Sequence, residues 1–227
     1  MYDALLLDHD GVLVGLLALE SIERGIRHHG EDCFRELGVE PDDRVIDTLS
    51  VGAERSVVAA LADEFGADAG RLWRCRDDAV ERTLRRATRD GEKEPYADVA
   101  ALDRIERPLG VVSNNQRRLV EFVLRHHGLW NLFGTVWARE PTLGSLERKK
   151  PAPTYLEGAM ADLGVERPLY VGDSETDVVA ARRAGVDCLF LRREHNADVT
   201  LSTAPTAEVS GLDEVVAVLR DGPRIGR

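Results

Sequence analysis

The sequence predicts an α/β fold: a doubly wound parallel sheet, interrupted after its first strand by an inserted α-helical block. Three observations carry this. Residues 4–7 are an unbroken apolar run that ends on two carboxylates and a glycine, Asp8-His9-Asp10-Gly11, as a short buried parallel strand would. Four further strand patterns, over 108–113, 134–138, 168–173 and 187–192, alternate with helical ones, which is the signature of a parallel sheet with crossover helices. Between the first strand and the second, residues 20–89 carry helical periodicity and no strand-like run.

Taken in order, the first strand leads into an apolar stretch, 12–19, in which Gly15 offers a hinge out of the sheet. Helices are expected over 20–37, 42–49, 54–65 and 68–89, each closed by or just before a glycine or opened after a proline. On the last of these, Trp73, Val80, Leu84 and Ala87 form an apolar stripe, with Asp78 and Arg82, and Glu81 and Arg85, spaced as i,i+4 ion pairs. Its arginines 71, 74, 82, 85 and 89 therefore read as a solvated face and not as an anion site. From Pro95 the strand pattern returns, with helices over 116–127, 153–163, 175–184 and 212–219. The domain division that follows is a core of residues 1–14 and 95–227 and an inserted helical domain of residues 15–94.

The chain has 227 residues, 43% hydrophobic, enough for a core domain plus a smaller one. Its net charge is −11, and only Lys93, Lys149 and Lys150 among its 30 basic residues are lysine. An acidic surface of this kind argues against nucleic acid and against anionic membranes as partners. Cys33, Cys75 and Cys188 are isolated and odd in number, so they are expected to be reduced in a cytoplasmic protein, forming neither a disulfide framework nor a zinc site. No apolar run approaches membrane-spanning length.

The chemistry gathers at strand ends. In a parallel sheet the carboxyl ends share one edge, where open α/β sheets bind ligands. The first strand delivers Asp8 and Asp10 there, the second Ser113 and Asn114, and the fourth Asp173 followed by Asp177; Lys150-Pro151 lies in the connection before the fourth. Adjacent carboxylates repel and are costly to desolvate unless a cation compensates. Carboxylate oxygens with room for water suit Mg²⁺, and a hydroxyl, backbone amides and an ammonium suit phosphate oxygens.

These residues fall into four motifs in order: Asp8-His9-Asp10-Gly11-Val12-Leu13, Val111-Val112-Ser113-Asn114-Asn115, Lys150-Pro151-Ala152-Pro153-Thr154-Tyr155, and Gly172-Asp173-Ser174-Glu175-Thr176-Asp177. With them the sequence resembles the haloacid dehalogenase superfamily. The length and position of the helical insertion resemble the helical-cap subgroup of phosphoglycolate phosphatases and β-phosphoglucomutases. The resemblance implies a Rossmann-like core under an α-helical cap and a Mg²⁺-dependent phosphatase of a small phosphorylated metabolite, such as a phosphoglycolate-like compound or a sugar phosphate. It implies Asp8 as the nucleophile that becomes an aspartyl-phosphate, and Asp10 as proton donor and then acceptor. Mg²⁺ would be held by Asp8, the backbone carbonyl of Asp10 and Asp173, with Asp177 behind them. Ser113, Asn114 and Lys150 would bind the phosphoryl group, with Lys149 the fallback for Lys150. Arg55, in the loop between two cap helices, would reach the non-reacting end of the substrate.

The acid at position 10 points away from dehalogenation, which needs no leaving-group proton. His9 departs from the family, which usually has an apolar residue there, and is read as a packing residue turned away from the site. Lys93, on the return linker from the cap, looks misplaced for Schiff-base chemistry and is set aside. His28-His29 and His126-His127 read as structural, and Trp73, Trp130 and Trp137 as packing residues. Two alternatives stand beside the phosphatase. One is a phosphosugar mutase-type phosphotransferase using the same two aspartates. The other is a non-catalytic phospho-receiver or binding module, although receivers carry their acceptor on a later strand and have no helical insertion. The protein itself is expected to be a monomer or homodimer.

Overall fold

The structure is a computed structural model that describes residues 2–50 and 52–221. Its centre is a six-stranded parallel sheet in the order β3-β2-β1-β4-β5-β6, with β1 Leu5–Leu7, β2 Leu109–Gln116, β3 Thr135–Arg139, β4 Leu169–Gly172, β5 Asp187–Leu191 and β6 Ala207–Val209. The strand order reverses at β1, which pairs with β2 on one side and β4 on the other. That switch point opens a crevice at the carboxyl ends of the strands. Period-two alternation sends Leu5, Leu7, Val111 and Val171 to one apolar layer and Leu6, Val112, Tyr170 and Phe190 to the other. Helices α5 (Arg117–His126) and α8 (Leu212–Asp221) cover the first layer, and α6 (Thr154–Leu163) and α7 (Glu175–Ala184) the second.

Between β1 and β2 lie four helices: α1 (Leu19–Glu36), α2 (Asp43–Leu49), α3 (Arg55–Glu64) and α4 (Ala69–Arg89). The amphipathic pattern of α1 and α4 drives them against each other. Ile26, Phe34, Trp73, Val80 and Leu84 are buried in a core continuous with the first layer of the sheet. Asp42 and Asp68 accept the amide hydrogens of Val45 and Arg71 and so fix the starts of α2 and α4. The cap is tied to the sheet by a buried ion pair. Arg139 at the end of β3 donates from both terminal nitrogens to the Asp77 carboxylate of α4, at 2.7 and 2.8 Å. The Gln116 amide donates to the Asp77 carbonyl at 2.7 Å.

Three expectations are corrected. Cys33 on α1 and Cys75 on α4 form a disulfide, because packing of the two helices brings their Cα atoms to 5.7 Å despite a sequence separation of 42; only Cys188 is a free, buried thiol. Asp78 pairs with Arg118 of α5 at 2.5 Å instead of its helix neighbour Arg82. The arginine face of α4 is not wholly solvated, since Arg85 and Arg89 lie over the Phe122 ring of α5, 4.3 and 5.2 Å from its centroid. Short elements escape sequence patterning. Segment Ala97–Arg104 is a 3₁₀-helix, and β6 is three residues long with only Val209 buried, too short to show alternation. Among the described residues no helix is long and apolar enough to cross a membrane.

Candidate active site

Asp8 follows β1 directly, its amide donating to the Val171 carbonyl of β4 at 2.9 Å. It is thereby held over the switch point. One carboxylate oxygen, Oδ1, accepts from the His9 amide at 2.7 Å and lies 2.8 Å from Lys150 Nζ. Lys150 is buried and also donates to Asp177 at 2.6 Å, the Tyr170 hydroxyl at 2.9 Å and the Val112 carbonyl at 3.1 Å. One ammonium thus serves two buried carboxylates, whose field raises it above the ordinary lysine range even though burial opposes this. Of the two adjacent lysines, Lys150 is the one beside Asp8. Its neighbour Lys149 turns to the cap and donates to the Ala53 carbonyl at 2.7 Å.

Asp173 and Asp177 arrive from β4 and the first turn of α7. Asp177 accepts from the Asp173 and Ser174 amides, at 3.2 and 3.0 Å, and from the Tyr170 hydroxyl at 2.7 Å. Two glycines make these approaches possible. A Cβ on Gly172 would lie 2.2 Å from the Asp177 Cβ, and one on Gly11, whose φ is +77°, 1.9 Å from Asp173 Oδ2. Asp8, Asp173 and Asp177 each offer an oxygen within 4.8 Å of the others. Burial pushes the Asp8 carboxyl well above the usual range, with Asp177 and Asp173 adding to this against Lys150. Burial raises Asp173 as well, and only Asp177, with Lys150 beside it, is held low against burial. Three carboxylates facing one ammonium leave a surplus of negative charge in a site that water does not screen. A divalent cation with oxygen preference fits that donor set.

Asp10 sits apart from this cluster. Its Oδ2 accepts from the Asn115 side-chain amide at 2.9 Å, and its Oδ1 is bonded to the ammonium of Lys93. Burial alone would raise Asp10, but Lys93 and the His9 ring bring it well below the ordinary carboxylate range. The sequence set Lys93 aside; the fold makes it a partner of the motif. The one signal was its rarity, since the chain has only three lysines and two of them, Lys93 and Lys150, pair with the motif aspartates. His9 does not turn away as expected. Its ring is fully buried with Nδ1 3.3 Å from Asp10 Oδ2, not aligned as a hydrogen bond, and Nε2 has no partner.

The remaining expected residues divide. Ser113 is buried beside Asp8's strand, its hydroxyl accepting from the Asn115 amide at 3.1 Å. The Asn114 side chain is committed to the lysine loop, donating to the Lys150 carbonyl at 2.9 Å and accepting from its amide at 2.7 Å. Arg55 opens α3 and pairs with Glu147 at 2.8 Å, half-exposed in a cleft of about 570 Å³ between cap and core whose lining includes Lys149, Pro151 and Arg183 but not Asp8. Sequence reasoning missed His195, whose Nε2 is 2.6 Å from Asp173 Oδ2, and Asn196, whose amide donates to the Asp173 carbonyl at 2.8 Å. Both lie on a short 3₁₀-helix after β5, in a segment without a recognisable motif.

Residues 13–191 match the sequence profile of the haloacid dehalogenase-like hydrolases. The chain belongs to this family. Among relatives of this haloacid dehalogenase-like hydrolase, the validoxylamine A 7'-phosphate phosphatase of Streptomyces hygroscopicus subsp. limoneus is 29% identical over 206 residues, 87% of this chain and 89% of that one. The phosphoglycolate phosphatase of Neisseria gonorrhoeae is 32% identical over 130 residues, 54% of this chain and 52% of that protein. In fold, the hydrolase is similar to CbbY from Rhodobacter sphaeroides in complex with phosphate, with a TM-score of 0.67, 20% identity, and 95% and 96% of the two chains covered. It is also similar to a predicted phosphoglycolate phosphatase from Haemophilus somnus, with a TM-score of 0.66, 20% identity, and 96% and 98% covered. The parallel sheet with a helical insertion after β1 is thus the family's fold.

Proposed function

We propose that this hydrolase is a phosphatase that removes the phosphoryl group of a small phosphorylated metabolite through an aspartyl-phosphate on Asp8, with Mg²⁺ as cofactor. The observation that carries the reading is the convergence of Asp8, Asp173, Asp177 and Lys150 at the switch point, one surplus-negative cluster beside one buried ammonium. Asp8, the backbone carbonyl of Asp10 and Asp173 would hold the ion. When bound it supplies positive charge that keeps Asp8 ionised and offsets charge on the phosphoryl oxygens.

In the first step Asp8 Oδ2, which no donor engages among the described residues, attacks phosphorus as Oδ1 stays on His9 and Lys150. The bond to the leaving oxygen breaks, and Asp10 delivers a proton to it. The incoming phosphoryl charge beside Asp10 favours the protonated form that this step needs. In the second step Asp10, now a carboxylate, takes a proton from the water that attacks the phosphorus, and the bond to Asp8 breaks to release phosphate. Lys150, Ser113 and the backbone at Asn114 bind the transferring group, and Asp177 fixes Lys150 and the Asp173 loop. Residues 15–94 act as the cap over the core formed by residues 1–14 and 95–227. Its Arg55 faces the cleft where the non-reacting part of a substrate would lie, a role it takes only by leaving Glu147.

The full-length relative named for validoxylamine A 7'-phosphate favours a sugar-like alcohol as the leaving group. The test is phosphate release from p-nitrophenyl phosphate and from a panel of sugar phosphates, with Mg²⁺ and with a chelator. The expected outcome is turnover by wild type with Mg²⁺ and none by Asp8→Asn. Absence of release from folded wild type would overturn the reading.

A further inference from the structure

We propose that Lys93 is a positioning residue for Asp10: from the linker that returns the chain from the cap to the core, its ammonium holds the Asp10 carboxylate at the place where it exchanges protons with the substrate. The proposal rests on the phosphatase reading for what Asp10 does, and on the fold for how it is held.

The two crossings between cap and core lie side by side. Val14 pairs with Pro95 as an antiparallel bridge, the Gly15 amide donates to the Glu94 carbonyl at 2.9 Å, and the Tyr96 amide donates to the Leu13 carbonyl at 3.1 Å. This pairing fixes Lys93 one residue beyond the ladder. Its backbone is held from a second side by His127 at the end of α5, whose Nε2 lies 2.9 Å from the Lys93 carbonyl. The side chain is 1% exposed. It is bonded to Asp10 Oδ1 and donates to the Gly15 carbonyl at 2.7 Å, across 83 and 78 sequence positions. A buried lysine costs several kcal/mol of lost hydration unless paired, and at this point in the fold its one carboxylate partner among the described residues is Asp10.

Asp10 is the half-buried member of the motif, so its carboxylate needs outside restraint to keep one orientation. Asn115 supplies that restraint at Oδ2 and Lys93 at Oδ1. The His9 ring, without an aligned hydrogen bond, does not replace either. Lys93 also touches both linkers, so the position of Asp10 is set by the same pairing that sets the cap. Proton transfer by a placed carboxyl contributes about 10² to 10⁴ in rate, and a displacement of an ångström forfeits much of it.

Lys93→Met keeps the stem and removes the charge; Lys93→Arg restores charge on a longer fork. The experiment measures kcat on a sugar phosphate for wild type, Lys93→Met, Lys93→Arg, Asp10→Asn and the Lys93→Met/Asp10→Asn double variant, with the p-nitrophenol burst on p-nitrophenyl phosphate and urea unfolding of wild type, Lys93→Met, Asp10→Asn and the double variant. Lys93→Met is expected to lower kcat on the sugar phosphate about 100-fold with KM nearly unchanged, and to add no loss on the Asp10→Asn background. Since p-nitrophenolate leaves without a proton, the burst should survive while steady turnover falls. Lys93→Arg should recover part of kcat. Unfolding should show coupling between the two sites of about tenfold or more in the folding constant. Additive kcat losses, a burst lost together with turnover, or uncoupled unfolding would each overturn the proposal. If wild type turns over nothing, the phosphatase reading falls and with it the catalytic part, while the unfolding cycle still decides whether Lys93 and Asp10 are paired.

Discussion

Replacing Lys150 by methionine gives a stability change whose size and pH dependence both follow from the site. The methionine keeps most of the volume but leaves the buried Asp8 and Asp177 carboxylates without the ammonium that lies 2.8 and 2.6 Å from them. Breaking a buried pair from one side costs about 3–5 kcal/mol, a large part of the roughly 5–15 kcal/mol that hold a domain folded. Asp8 already sits well above its ordinary value because of burial, against the pull of Lys150. A carboxyl raised on folding contributes stability that is full below its unfolded pKa of about 3.9 and lost as pH rises through the folded value. Without Lys150, Asp8 and Asp177 both move up. The deficit of Lys150→Met should therefore be largest in neutral buffer, shrink toward mild acid, and shrink again when Mg²⁺ is added. A ligand at 100 times its Kd stabilises by about 2.7 kcal/mol, and the variant should gain more from the ion than wild type does. Urea unfolding followed by circular dichroism, in mildly acidic and neutral buffer with and without saturating Mg²⁺, measures all of this. A neutral-pH deficit under about 1 kcal/mol, the scale of an exposed pair, or a deficit that grows toward acid would refute the reasoning.

Other perturbations follow from the same contacts. Asp98 accepts from both terminal nitrogens of Arg193 at 2.9 Å and from the Leu212 amide at 2.8 Å; burial would raise it, but these donors bring it below the usual range. Its stability contribution is present above its unfolded pKa, about 3.9, and lost as pH falls through the lower folded value, so Asp98→Asn should cost about 2 kcal/mol at neutral pH and flatten the acid limb of the stability curve. Between cap and core, Asp77→Asn and Arg139→Met should each cost about 3–5 kcal/mol and together less than their sum, with the buried Arg76 that also pairs with Asp77 at 3.0 Å still left without its carboxylate; additive losses in a double-mutant cycle would contradict a shared buried pair. The Cys33–Cys75 bond closes a span of 42 positions, worth about 4 kcal/mol by loop entropy, so a reductant should lower the unfolding midpoint in wild type and leave Cys33→Ser unmoved. A cytoplasmic location predicts that the same pair is reduced in the cell, which alkylation trapping before lysis reads directly.

How much was legible in advance depends on the range of the interaction involved. Asp8, Ser113 and Asp173 could be placed because each ends a short apolar run of strand length, Asp177 because it lies four positions beyond Asp173, and strand ends in a parallel sheet share an edge. Lys150 was separable from Lys149 only through its motif, and in the structure the two neighbours diverge, one to Asp8 and one to the cap backbone. Arg55 shows the reverse: it was expected in a loop between cap helices but opens α3, and its partner Glu147 lies 92 positions away on the core, with no pattern in either segment announcing the other. His195 and Asn196 belong to a polar stretch that reads as an ordinary loop until β5 carries it next to Asp173.

By itself, then, the sequence determined the alternation of strands and helices, the helical insertion after the first strand, and the acids at the strand ends, because backbone periodicity and turn chemistry act between residues a few positions apart. Tertiary structure alone decided which side chains share a charge. Lys93 joins Asp10, and Arg139 joins Asp77. Pairing strength depends on separation in space and on exclusion of water, and both are set only when the cap has folded back onto the sheet.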